Sequence, residues 1–149
     1  MPEIHTIPVP IVTGSVVSTT SVLATVTGLT QNVIAGRKYI FESALWINAD
    51  VSGGSKYAIN GTAAPYTSSI LYHISLLDDT TNAYTITARH SVLGGATGQA
   101  GTTVGLCVIK GMINVSVAGT LTTQFAQNVS SVNSSTVFPG SFFNVEMIT

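Results

Sequence analysis

The side chains of this 149-residue chain that could do chemistry are few: three histidines, one cysteine and six carboxylates. His5, His73 and His90 show none of the short spacings with which histidine and cysteine hold zinc, and Cys107 has no second cysteine to join it. His73 lies in an apolar run, where a hydrogen-bonded core or interface position is the ordinary role. Cys107, flanked by Leu106, Val108 and Ile109, predicts a buried and inert thiol, and being alone it can form no internal disulfide. Asp78-Asp79 beside Asn82 brings two carboxylates to a site where calcium needs roughly six to eight oxygens, so an Asx-type turn is expected instead. The run Gly94-Gly95-Ala96-Thr97-Gly98-Gln99-Ala100-Gly101 has the glycines of a phosphate-cradling loop but neither its Lys-Ser/Thr ending nor a following helix. We expect a mobile loop there. No Gly-x-Ser-x-Gly elbow occurs, and nothing pairs two carboxylates for acid–base work. The chain is therefore expected to be non-enzymatic, with no catalytic residue, no metal and no cofactor.

Composition narrows the classes further. Only 7% of residues are charged against 45% hydrophobic, and the net charge is −1. An average soluble domain carries about 25% charged residues. Ser, Thr and Gly fill the difference, which suits surfaces that meet other protein, because burying a hydroxyl costs far less than burying an unpaired charge. The five Lys and Arg stand singly or as Arg37-Lys38 and form no basic stripe for phosphates, so no nucleic-acid partner is expected. Mean hydropathy is high, yet hydroxyl residues interrupt every apolar stretch before it reaches spanning length, and residues 1–12 lack the layout of a signal peptide. No membrane partner is expected either.

The elements that position these side chains are strands. Residues 1–12 hold Pro2, Pro8 and Pro10 among Ile4, Ile7, Val9, Ile11 and Val12, which excludes a helix and predicts an extended apolar segment, either a docking arm or a first edge strand with a frayed end. From residue 15 to 27 the chain is nearly all Val, Ser, Thr, Leu and Ala, a β composition. In residues 38–48, Tyr39, Phe41, Ser43, Leu45 and Ile47 alternate with Ile40, Glu42, Ala44 and Trp46. Both faces are apolar, which predicts a central strand covered on each side, by its partner sheet on one face and by another subunit on the other. Residues 69–77 repeat the pattern around Tyr72. Turn signals recur between eight to ten short strands, and no amphipathic helix interrupts them, so the expected class is all-β, an antiparallel sandwich or jelly roll. We place an extended arm at residues 1–14 and a single β-sandwich domain at residues 15–149.

The last third supplies a resemblance. Gly119-Thr120-Leu121-Thr122-Thr123-Gln124-Phe125-Ala126-Gln127-Asn128, followed after a polar loop by Gly140-Ser141-Phe142-Phe143-Asn144-Val145-Glu146, resembles the closing strands of small structural proteins of tailed-bacteriophage virions. Those proteins are similar to the tumour-necrosis-factor type of jelly roll. The resemblance covers roughly residues 34–148 and implies a capsid decoration or cementing protein on the outer capsid surface. It implies a homotrimer, with a dimer as the alternative, and the major capsid protein lattice as partner. Under that reading Ile4, Ile7, Val9, Ile11 and Val12 are the docking residues of the arm, and Tyr39, Phe41, Tyr72, Phe125 and Phe143 form the oligomer core or interface. The alternative function is a receptor-binding module for host glycan on a phage tail or fibre, using Tyr66 or the loop at residues 128–133.

Overall fold

A computed structural model describes residues 9–101 and 103–148, and every described regular element is a strand. The larger sheet holds β1 (Val16–Ser18), β3 (Lys38–Asn48), β5 (Ala64–Asp78), β6 (Tyr84–His90), β8 (Val104–Val117), β10 (Ser135–Val137) and β11 (Phe142–Ile148). The smaller sheet holds β2 (Ala24–Val33), β4 (Ser55–Asn60), β7 (Ala96–Gln99) and β9 (Gly119–Ala126). All pairings are antiparallel. The orders β1-β10-β3-β8 and β2-β9-β4-β7 are those of an eight-stranded jelly roll, with β10 and β11 as two parts of one strand lying along β3. The hairpin β5–β6 is inserted between β4 and β7 and adds two strands beyond β8.

Alternation explains which side of each strand is buried. Tyr39, Phe41, Ser43, Leu45 and Ile47 face the core from β3, and Leu121, Thr123 and Phe125 face it from β9. Phe41 lies at the centre, with ring centroids 6.0 Å from Tyr72 and 6.3 Å from Phe143. Gly111, facing both Phe41 and Tyr72 across the sheet, leaves room for the two rings to approach. Cys107 is fully buried, and burial pushes its thiol well above the ordinary range.

One polar chain crosses this core. Thr123 Oγ1 on β9 donates to Ser43 Oγ on β3 at 3.0 Å, and Ser43 Oγ donates to the Phe142 carbonyl on β11 at 2.9 Å. Both side chains are wholly buried, so removing one partner strands the other. Ser43→Ala alone is expected to cost about 1–3 kcal/mol. Adding Thr123→Val to it should recover part of that loss, since an apolar pair leaves no hydroxyl unpaired. Urea unfolding of the two single variants and the double checks this; additive losses would count against it.

The sequence-based picture needs two corrections. The arm does not run to residue 14, since Val12 and Ser141 pair through backbone N–H and carbonyl groups, and the Phe143 N–H bonds to the Pro10 carbonyl at 3.0 Å. Residues 10–12 thus continue the line of β1 along β11, and Val12, at 1% exposure, belongs to the core instead of a docking surface. The glycine-rich segment is not simply a loop, because residues 96–99 form β7 at the edge of β4. Small residues are required there: a Cβ at Gly98 would overlap Lys56 and Asn128 side-chain atoms. Within a single chain β3 is covered on one side, its other side being the outer face of the larger sheet, the side expected to meet another subunit.

The open side of the sandwich is laced by polar contacts. Thr85 Oγ1 donates to Gln99 Oε1 at 2.5 Å, His90 Nε2 and Thr97 Oγ1 are 2.7 Å apart, and the Tyr72 hydroxyl lies 2.7 Å from the Gly95 carbonyl. These contacts tie β6 and its neighbour β5 to β7 and the segment before it.

Candidate interaction face

Two outer faces differ sharply. On the smaller sheet, hydroxyls and amides bond to one another: Thr30 Oγ1 to Thr122 Oγ1 at 3.1 Å, Asn60 Nδ2 to Gln124 Oε1 at 3.3 Å, and Thr62 to Thr120 through their hydroxyls at 3.1 Å. Among the described residues, none of its strands exposes a large hydrophobic side chain. The outer face of the larger sheet does the reverse. Ile40 and Leu71 are each 42% exposed, Met112 56% and Trp46 62%, with Tyr84 and Val17 also open.

Register arranges these side chains in rows across the strands. Ile40, Met112 and Leu71 form one row on β3, β8 and β5. Trp46, Leu106, Leu77 and Tyr84 form another, and the Trp46 ring packs on Phe138 with centroids 5.1 Å apart. Between them runs a polar row: Asn144, Glu42, Lys110, His73 and Arg89. The Lys110 ammonium stands 3.6 Å from the Glu42 carboxylate, both about half exposed. Shallow troughs of about 310 and 400 Å³ flank the Lys110–Gly111 segment on its two sides.

The residues singled out from sequence fall as follows. Tyr39, Phe41, Tyr72, Phe125 and Phe143 are all buried within the single chain, so they are core and present no interface. Val9 and Ile11 are exposed, and Ile11 bridges Phe142. Ile4 and Ile7 of the arm, with His5, lie outside the described residues. His73 is exposed on the polar row, which excludes the core position and leaves the interface one of the two expected. Asp78 closes the anticipated Asx turn, its Oδ1 accepting from the N–H groups of Thr80 at 2.7 Å and Thr81 at 2.9 Å. Sequence reasoning missed Trp46 and Met112 as exposed anchors. It also missed Gln127, wholly buried, whose side chain accepts from the Ser131 N–H and donates to the Asn133 carbonyl, clasping the loop at 128–134.

Among the described residues no three of His, Cys, Asp or Glu stand close enough to share a metal ion, and no helix is long and apolar enough to cross a membrane. The perturbed groups are structural. Burial lowers His90, while the Thr81 and then the Thr80 N–H lower Asp78, and the Gly53 N–H lowers Asp50. Burial pushes Tyr72 up to about 12. A base held low in the folded state contributes stability above its unfolded value and loses it on acidification. Stability is therefore expected to be flat near neutrality, to begin falling below about pH 6.5 through His90, and to fall again below about pH 4 through the two aspartates. Urea midpoints across pH 3–8 measure this, and His90→Gln should remove the upper step alone.

No family model matches the chain, and no curated protein matches it. Among solved structures, infectious bursal disease virus VP2 in its subviral particle is similar at 12% identity and a TM-score of 0.26, covering 90% of this chain and 37% of that one. The structure of the Gx strain of infectious bursal disease virus is similar at 11% identity and a TM-score of 0.25, covering 93% and 37%. The chain spans a little over a third of the length of these viral proteins. Likeness at that level carries no argument, and the jelly-roll assignment rests on the strand order above.

Proposed function

We propose that this chain is a non-enzymatic structural protein of a virion, a bacteriophage capsid decoration or cementing protein bound to the outer capsid surface. The observation that carries this reading is the outer face of the larger sheet, where exposed apolar rows flank a single polar row. Monomeric proteins rarely leave large apolar patches open, and two such rows on one face suit a partner. The resemblance of residues 119–146 to phage virion proteins supplies the context. Several copies act together, three being the number that resemblance implies, and each adds weak contacts to the capsid lattice that sum through avidity. Contacts made only on the assembled head stabilise it as any ligand stabilises the state it binds.

In this reading Ile4, Ile7, Val9 and Ile11 dock the arm on the shell. Deleting residues 1–8 keeps the backbone pairing of residues 10–12 and weakens head binding. Purified protein is mixed with heads lacking it and, separately, with host cells. Saturable binding to heads at a fixed copy number supports decoration. Cell binding competed by surface polysaccharide, without head binding, overturns it. The second reading, a glycan receptor-binding module, is favoured by one observation: the hydroxyl and amide face of the smaller sheet, with Tyr66 exposed nearby in sequence at the start of β5.

A further inference from the structure

We propose that the outer face of the larger sheet pairs with the same face of a second copy, about a two-fold axis running parallel to the strands between β3 and β8. The polar row is charged asymmetrically. Glu42, with Glu146 two residues beyond Asn144, marks the β11–β3 side, whereas Lys110 and Arg89 mark the β8–β6 side, with His73 between them. A two-fold axis along the strands sets the acidic side of each copy over the basic side of the other. An axis across the strands would set like over like, which costs several kcal/mol per contact.

Placing the axis between β3 and β8 decides the pairs. Residues in register across these two strands change places, so Glu42 meets Lys110 of the second copy and Lys110 meets its Glu42. By the same operation Ile40 meets Met112, Ala44 meets Val108, and Trp46 meets Leu106. Apolar side chains thus cover apolar ones at these three pairs, while at the margins Glu146, at the end of the Ile40 row, meets Leu71 and Lys38 meets Asn114. Every contact occurs twice, as an isologous interface requires. A three-fold axis parallel to the strands would instead gather the central strand of three faces, and with it three Lys110 ammonium groups. The pair therefore stands in place of the three copies that the resemblance implies.

The proposal rests on the reading of the chain as an assembling protein, and its test is independent of capsid binding. Sedimentation of the full chain at micromolar concentration is expected to give two copies. Glu42→Lys and Lys110→Glu each put like charges together twice per pair and should weaken self-association on the order of a hundredfold. Within one chain the exposed Glu42–Lys110 ion pair contributes little, so thermal melting of either variant at low concentration should stay close to that of the unaltered chain. The two single variants mixed in equal amounts should form a mixed pair, and the double variant E42K/K110E should pair with itself. A native mass of one or three copies, single variants that pair as the native chain does, or a mixture that fails to pair would each overturn the proposal. A native pair that ignores phage heads overturns the decoration reading and leaves this one standing.

Discussion

Gly111→Ala is expected to destabilise the protein by about 3 kcal/mol or more, although alanine is the smallest possible addition. Gly111 sits mid-strand in β8, and its missing Cβ would point into the sandwich. There it would overlap the Tyr72 Cβ and approach the Leu71 carbonyl oxygen to 2.5 Å and Phe41 Cζ to 2.8 Å. The Phe41 ring could turn aside at some cost. The Leu71 carbonyl and the Tyr72 Cβ belong to the backbone frame of β5, so relief there requires β5 and β8 to separate. Chemical unfolding with a spectroscopic probe measures the loss. A change under about 1 kcal/mol would mean that this part of the sheet yields easily.

Phe143→Ala should cost about 3–5 kcal/mol, the usual range for deleting a buried aromatic ring. The ring is fully buried and packs edge-on against Phe41. With a domain of this size worth about 5–15 kcal/mol in total, that is a large share. The variant also decides between the two roles open to this residue from sequence. As a core residue it lowers the unfolding free energy at every protein concentration. As an interface residue it would shift oligomer dissociation and leave the dissociated chain's stability unchanged, which would contradict its placement here.

Much of the fold was legible because strand alternation is local. The inward set of Lys38–Asn48 can be read from period two alone, and the structure buries those same five side chains. The covering of the other side cannot be read that way, since alternation does not say what lies opposite. Ile40 and Trp46 stand exposed in the single chain, on the side expected to meet another subunit. The strand Ala96–Gln99 was hidden for a different reason. Its one glycine, Gly98, lets Lys56 and Asn128 approach, and more glycines flank it, so the segment imitates a loop, and only the distant partner β4 makes it a strand. Residues 10–12 stood open between arm and edge strand for the same cause, their partners lying about 130 residues away at 140–143. Gln127 offered one faint cue, an amide at the end of a strand just ahead of an Asn/Ser loop. Its burial depends on how that loop folds back.

The lacing of β6 to β7 also bears on how this chain behaves before it finds a partner. The margins of a sandwich are where foreign strands add on, because unpaired N–H and carbonyl groups there form a ready template. On the side closed by Thr85–Gln99 and His90–Thr97, the two margins are engaged with each other. On the opposite side, residues 10–12 shield the first part of β11, and Glu146 stands on the part beyond them. A low-charge, hydroxyl-rich chain thereby leaves its faces, where side chains would choose a partner, more open to association than its rims, where any extended peptide would serve.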